Sequence, residues 1–540
     1  MNLLHDPWMP VRRRDGSREW IAPDRFADPE VLAFDADRPD FNGALVQFAI
    51  GLLQTTTPMD SPIAWKKLFA TPPDSETLRD WFSPAATAFD FDGDEARFMQ
   101  DFSLKADKAT TNEIDALLIE SPGDSTKEKN IDHFVKRGQV SAMCPRCAAI
   151  ALLTLQINAP AGGAGHRTGL RGGGPLTTLI VSQPQRSLWQ DLWLNVRERS
   201  LFLVQGGDAA KSSLHYSFPW LAASSAIQPD GGETAPIQVH PAHVFWAMPR
   251  RIRLDFDDTS NGQCGICSQA SERLIRQYIT KNHGLNYKGA WDHPLSPYYE
   301  SKEGWLPLHP QPGGIGYRQW LGWVMGMTSE KKKQRRARII EHVIGPGRGQ
   351  VGVQLRLWAF GYDMDNMKAR CWYESTLPLF GLADCAPAAD LRVESEVGLW
   401  LAGAELAAFY LRAAVKDAWF GGDPRGDFSA IDASFWGRTE AGFYSNLKCL
   451  IESVRDDRVV DAVQVRDSWH RLLIKSATNL FDEEFVGAGQ IERQKPHRIA
   501  KAFQQLRRNL YGPKMRGALG LPALEGSKPG NKFKAAKAVA

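Results

Sequence analysis

Along the first hundred residues, short apolar runs alternate with Asp and Pro breaks, as in Asp6-Pro7-Trp8-Met9-Pro10, and residues 42–54 carry an apolar pattern at helical spacing. That mixture predicts strands and helices side by side, a mixed α/β region. Residues 105–138 are polar and rich in Lys, Asp, Thr and Ser, which predicts a long mobile loop. A helical run follows at residues 148–158, and then residues 161–174 (AGGAGHRTGLRGGG), too dense in glycine for helix or strand and so a shaped loop. Residues 176–181 and 252–256 read as strands, whereas residues 199–233 show no clear period.

From about residue 394 the period lengthens. Leu399, Ala402, Leu406, Phe409 and Ala413 recur at helical spacing before the stop Gly421-Gly422-Asp423-Pro424. Phe443, Leu447, Leu450 and Val454 mark a second helix, Val465, Trp469, Leu472 and Leu480 a third, and Ile499, Phe503, Leu506 and Leu510 a fourth. Short connections between them predict antiparallel neighbours. The expected fold class is therefore α+β. A large N-terminal mixed α/β domain spans 1–390, an antiparallel four-helix bundle spans 391–515, and a basic, disordered tail spans 516–540.

At 540 residues the chain exceeds what one core supports. A hydrophobic share of 43% and a charged share of 24% match soluble globular proteins. With no run of about eighteen apolar residues and no apolar leader, neither a membrane protein nor a secreted one is expected, and the reading is cytoplasmic. A net charge of +3 excludes a protein that coats nucleic acid indiscriminately, so any such contact must be local. Basic residues do cluster, in residues 331–338 (KKKQRRAR), around residues 493–508 and in the tail. The plain reading of each cluster is a solvated helix face.

Of seven cysteines, Cys371, Cys385 and Cys449 are scattered, and the rest form two CxxC pairs, Cys144/Cys147 and Cys264/Cys267. Paired thiolates at this spacing point to a structural Zn2+ that staples two distant segments, since four sulfurs leave no position open for water. The alternatives are small buried residues or a redox pair. The glycine-dense loop has neither the GxxxxGK[ST] order nor a GxGxxG followed by an acid, so it is no nucleotide fingerprint. It does allow close backbone approach to a ligand, with His166, Arg167 and Arg171 alongside as candidate phosphate contacts. No HExxH or GxSxG occurs, and Asp363 and Asp365 read as turn-forming or capping residues.

Several motifs run in order along the chain: Met1-Asn2-Leu3-Leu4 through Trp8-Met9-Pro10-Val11, Phe98-Met99-Gln100, and the Cys144/Cys147 pair with the apolar residues 148–152. They continue through Gly169-Leu170-Arg171-Gly172-Gly173, Pro241-Ala242-His243, the Cys264/Cys267 pair, residues 291–297 (WDHPLSP) and the C-terminal helices. This ordered set, covering nearly the whole chain, resembles the CasA family, the large subunit of the type I-E CRISPR Cascade complex.

The resemblance implies a non-catalytic subunit that recognises the PAM in double-stranded target DNA, promotes strand separation and R-loop formation, and recruits the helicase-nuclease in antiviral defence. It implies that the other Cascade subunits are partners. It also implies that Ala161, Gly162, Gly163, Ala164 and Gly165 lay backbone into the PAM minor groove, a largely A·T-versus-G·C code. The family's lysine finger falls on Lys281 or Asn282, and its strand-parting wedge on Asn366 with Met367 beside it. The loop before the first CxxC pair should meet the 5′ handle of the guide RNA, with Phe134 stacking on a base. By our own inference, residues 331–338 would contact the DNA backbone. The competing readings are a zinc-containing nucleic-acid enzyme and a purely structural scaffold subunit.

Overall fold

The structure, a computed structural model, describes residues 1–130, 138–163, 165–229, 231–329, 332–344, 354–365, 368–380, 387–420, 426–458, 460–486 and 495–523. The chain divides into two compact units. One comprises Met1–Ile315 with Gly322–Ala383, the other Gly316–Leu321 with Asp384–Ala540.

The first unit is mixed α and β. β1 (Met9–Arg13) lies between β2 (Arg18–Ile21) and β3 (Val31–Phe34). A second sheet contains β4 (Thr110–Glu113), β6 (Arg251–Leu254) and, between them, β9 (Gln277–Lys281). A third contains β5 (Thr177–Gln183) beside the long hairpin of β14 (Gln354–Asp365) and β15 (Lys368–Leu379). β7 (Thr259–Gln263) pairs with β8 (Ala270–Ile275). The last sheet holds β10 (Tyr298–Ser301), β11 (Gly304–Pro307), β12 (Met327–Ser329) and β13 (Lys332–Arg335).

The helix Pro39–Thr56 starts with Pro at its first position and is buried over most of its length. Around it Phe48 meets Trp8, Phe89, Phe98 and Trp246 edge to face, with ring centroids 5.0 to 5.9 Å apart. Two expectations need correction here. The polar stretch 105–138 is not all loop, because Thr110–Glu113 pairs with β9 as a strand. The basic run, described from residue 332 on, is not a free cationic face. It folds as β13 and the start of the helix Arg338–Ile344. Lys333 pairs with Glu300 (2.8 Å), Arg335 and Arg338 share Asp292 (3.0 and 3.1 Å), and Arg335 lies over the Tyr298 ring.

His243 shows what one of the ordered motifs does. Its Nδ1–H donates to the Tyr216 carbonyl (2.9 Å), and its Nε2 faces the Tyr287 hydroxyl (3.0 Å), which itself accepts the Met248 N–H (2.9 Å). Burial, and after it the neighbouring His240, pushes its pKa down to about 4. The unfolded imidazole titrates near ~6.5. Unfolding therefore takes up a proton between these values, so this contribution is complete above pH ~6.5 and lost as pH falls toward 4. We expect urea stability to fall by about 3 kcal/mol more over that window in the wild type than in His243→Gln.

The second unit is helical: Pro387–Trp419, Ser429–Arg455, Ala462–Asn479 with a π turn at Leu480–Phe485, Pro496–Leu510 and Pro513–Ala518. Arg412 pairs with Asp432 from the late first helix to the early second. Trp469 Nε1–H donates to the Trp400 carbonyl (3.0 Å) and Arg466 grips Glu396 with two bonds of 3.1 Å. Arg498 donates to the carbonyls of Ala418 and Trp419 (2.9 and 2.7 Å). These contacts run the first helix against the second and fourth in opposite directions and alongside the third. The segment 316–321 joins this unit by inserting Tyr317, which stacks on Phe443 (4.4 Å) and hydrogen-bonds Thr439 (2.8 Å).

The first helix turns inward a different face from the expected stripe of Leu399, Ala402, Leu406, Phe409 and Ala413. Trp400, Ala404, Ala407 and Leu411 are buried, whereas Phe409 is 53% exposed. Alanines admit close helix approach, and so the inner face is the alanine face. By length and composition this helix passes as a membrane span. Its packing on its neighbours accounts for that composition within a folded unit. Packed structure also continues past residue 515, where Met515 and Leu519 are buried, so the tail does not begin at 516. Trp469→Ala should cost about 3 to 5 kcal/mol and remove the indole bond to the Trp400 carbonyl, read as an earlier unfolding transition in the helical unit.

Candidate nucleic-acid interface and metal centre

Two knuckles build the metal centre. Cys144 caps the helix Pro145–Asn158 with an extended backbone, and Pro145 starts the helix, which places Cys147 one turn in. Cys264 and Cys267 sit in the tight turn between β7 and β8, where Cys264 N–H donates to Gln269 O (2.9 Å) and Ser268 takes a positive φ of 57°. Backbone bonds stitch the knuckles together: Met143 and Ile275 exchange two (2.9 and 2.8 Å), and Gly265 N–H donates to Ala142 O (2.9 Å).

The four sulfurs lie within 4.8 Å of one another, Cys144 and Cys267 at 3.9 Å. A tetrahedral ion with metal–sulfur bonds of about 2.3 Å needs sulfurs about 3.8 Å apart. Cys144 N–H (3.3 Å) and Ile266 N–H (3.5 Å) point at Cys264 Sγ, as donors to a thiolate would. Hydrogen bonds to its three neighbours, together with burial, push the Cys147 thiol well up. The cluster thus favours a cation that would let all four thiols ionise. These four cysteines could hold a metal ion, and the donor set is compatible with zinc.

The Cys144 helix leads from this centre directly into the glycine loop. The loop is closed at its base, where Gly169 N–H donates to Ala159 O (2.9 Å) and Gly174 N–H to Asn158 O (3.1 Å). Its outer part holds Gly163 and Gly165 at φ of 74° and 84°, which only glycine adopts without strain. Gly163 faces open space, and Ala161 is exposed beside the half-buried Gly162.

Gly165 lies against the exit of β9. His283 N–H donates to Gly165 O (2.9 Å), and a Cβ at Gly165 would stand 2.8 Å from the Asn282 Cβ. The structure therefore brings the glycine loop together with Asn282, and with Lys281, which ends β9 exposed. Ala164, Asn366, Met367 and Phe134 lie outside the described residues.

The hairpin carrying positions 366 and 367 is described up to its last pair, Asp365 with Lys368. It is held at Tyr362, whose hydroxyl donates to the buried Asp40 (2.7 Å). A Cβ at Gly174 would meet Tyr362 Cβ at 2.6 Å and Met364 Cε at 3.0 Å, so the hairpin passes the base of the glycine loop just before its tip. Asp363 is not a turn or capping residue. It is buried in β14 and takes both arms of Arg370 (2.7 and 3.1 Å).

Positive charge concentrates at the loop. Arg250 donates to the Pro160 carbonyl, and burial pushes it down to about 10. His166 is lowered by burial and then by Arg250. Among the described residues no carboxylate pairs with Arg250, Arg167 or His166, and the Nε atoms of Arg167 and Arg250 are buried without a hydrogen-bond partner. Arg171 differs from expectation. It is buried and bonded to Gln47, Thr177 and Ser296, so it fastens the loop rather than reaching a phosphate. Sequence reasoning passed over Arg250 and His283, although Arg250-Arg251-Ile252-Arg253 is a basic stretch.

The family model of the CRISPR-associated protein Cse1 (CRISPR_cse1) matches residues 2–480. The structure is similar to Cse1 of Thermobifida fusca, with a TM-score of 0.68 at 16% identity, covering 96% of this chain and 98% of that one. It is similar to Cse1 of Acidimicrobium ferrooxidans, with a TM-score of 0.62 at 18% identity, covering 96% and 98%. A chain of a CRISPR RNA-guided surveillance complex gives a TM-score of 0.61 at 17% identity, covering 95% and 99%. At these identities the structural likeness is one of fold, while the family match spans most of the sequence. This chain belongs to the Cse1 (CasA) family of CRISPR-associated proteins.

Proposed function

We propose that this chain is the non-catalytic large subunit of a type I-E CRISPR Cascade surveillance complex, reading the PAM in duplex DNA and starting strand separation beside it. The observation that carries this reading is the meeting of Gly165 with Asn282 and His283, where Arg167 and Arg250, with no carboxylate partner among the described residues, lie by a loop whose glycines expose its backbone. Backbone and short side chains suit the shallow code of a minor groove, and cations suit the flanking phosphates. Lys281 or Asn282 serves as the finger. Asn366, with Met367, serves as the wedge at the tip of a hairpin anchored through Tyr362. Unstacking a base step costs a few kcal/mol, offset by contacts to the opened strands.

The Cys144, Cys147, Cys264 and Cys267 cluster holds a structural Zn2+, which, when bound, lets the four thiolates coexist and fixes the start of the helix that ends in the glycine loop. Four sulfur ligands fill a tetrahedral ion, which supports a structural role over catalysis. The helical region 391–515 acts as an antiparallel four-helix bundle offering a surface to other Cascade subunits and the helicase-nuclease, with 1–390 as the PAM-reading domain. Phe134 stacks on the guide RNA 5′ handle, and the complex works in the cytoplasm.

The wedge assignment is tested with a fluorescent base analogue at the first target pair, comparing Asn366→Ala with wild type in the assembled complex. Base opening should slow about tenfold or more (~1.4 kcal/mol) while PAM-dependent association persists. Unchanged opening rates would remove Asn366 from this role.

A further inference from the structure

At the end of β14 far from its tip, a cleft of about 730 Å3 opens between two strand edges, β3 on one side and β5 on the other. The two edges differ. β5 is already covered: Asn195 exchanges two bonds of 2.8 Å with Ile180, and Asp191 accepts from Ser182 N–H (2.8 Å) and hydroxyl (2.7 Å). β3 is open. Asp35 N–H bonds to Pro10 O (2.8 Å) and Ala33 is opposite Arg12, so alternation turns the Phe34 backbone away from β1 and toward the cleft. Among the described residues, the Phe34 N–H and C=O have no hydrogen-bond partner. Among the described residues the Leu32 carbonyl accepts only a side-chain amide, that of exposed Gln185 (3.0 Å).

An open strand edge facing a cleft is a template for another extended backbone. The walls suit alternate side chains, with Leu179, Val181, Leu188 and Trp358 supplying apolar surface. The cleft's charges favour one sign in the occupant. Arg12 lies 3.8 Å from Asp35, and Arg356 is engaged by Gln183 and Thr376. Asp191 has no cationic partner among the described residues, and burial pushes its carboxyl up to about 6 despite the two bonds from Ser182.

We propose that this cleft docks an extended peptide segment of a partner protein, which adds as a strand to the free edge of β3 and sets a lysine or arginine against Asp191. The backbone bonds supply affinity and the basic side chain supplies selectivity. The site lies apart from the loop, finger and hairpin tip, and does not depend on the DNA-reading assignment.

The test titrates the full chain with an acetylated, amidated peptide of alternating valine and threonine carrying one central lysine. The same peptide with a central glutamate, and one N-methylated at alternate amides, are run beside it, and spermidine serves as a free amine. Hydrogen exchange of the fragment covering β3 is followed with each. Saturable binding of the lysine peptide is expected, with slowed exchange at β3, about tenfold weaker binding to Asp191→Asn, and no binding of the N-methylated peptide. Equal binding of the lysine and glutamate peptides, retained binding after N-methylation, protection of β3 by spermidine alone, or no protection at millimolar peptide would each overturn the proposal.

Discussion

Cys147→Ser should lose one zinc per chain and, with it, the folded first unit at assay temperature. Cys147 is 2% exposed at the first turn of the helix that feeds the glycine loop, so an uncompensated change there is transmitted to both. Structural zinc contributes ~10–16 kcal/mol in small finger domains. Even a third of that is comparable with much of the ~5–15 kcal/mol by which domains are stable. Elemental analysis and thermal unfolding check the result, with Cys371→Ser, at an exposed strand position, as the control that should change neither. A Cys147→Ser chain that keeps its zinc and melts with the wild type would remove the staple from this account.

Gly165→Val should leave the fold intact and abolish PAM discrimination. Gly165 sits at φ +84°, and the new Cβ would press on Asn282 Cβ at 2.8 Å and His283 Cε1 at 3.0 Å. A β-branched residue in this region costs ~1–3 kcal/mol, which the outer loop relieves by moving off the β9 exit. The loop and the finger then lose their common position, and PAM-dependent affinity should drop about a hundredfold (~2.7 kcal/mol). Gly16→Val is the matched control, because Gly16 shares the φ of +84° but has nothing within 4 Å. Binding by the assembled complex at fixed salt separates the two variants. Equal losses from both would mean that backbone strain alone, wherever placed, explains the effect.

Much of this architecture was legible because its signals are local. The helix at residues 148–158, the strands near 176–181 and 252–256, and the glycine loop all follow from period and composition, and the CxxC pairs converge as their spacing suggested. What was not legible depends on partners distant in sequence. Thr110–Glu113 becomes a strand only because β9 lies beside it. The inner face of the first long helix is set by which side its neighbours approach, where Trp400, Ala404, Ala407 and Leu411 pack, and Phe409 is left outside.

Arg171 looked like a phosphate ligand until its three buried partners, Gln47, Thr177 and Ser296, were in view. The ordered motifs serve the fold as much as the site. His243 closes a hydrogen-bond chain, Gln100 bonds Phe91 O and Leu254 N–H (2.8 and 2.9 Å), and Ser296 ties Arg171 to the Leu176 carbonyl (2.8 Å).

The most direct test of the central claim is binding of the guide-loaded complex, with and without this chain, to target duplexes carrying every PAM, at one salt concentration. The account predicts that discrimination among PAMs appears only when the chain is present and disappears with Gly165→Val, while binding to a pre-opened target is retained. Discrimination that is the same without the chain would contradict it and leave the chain a scaffold.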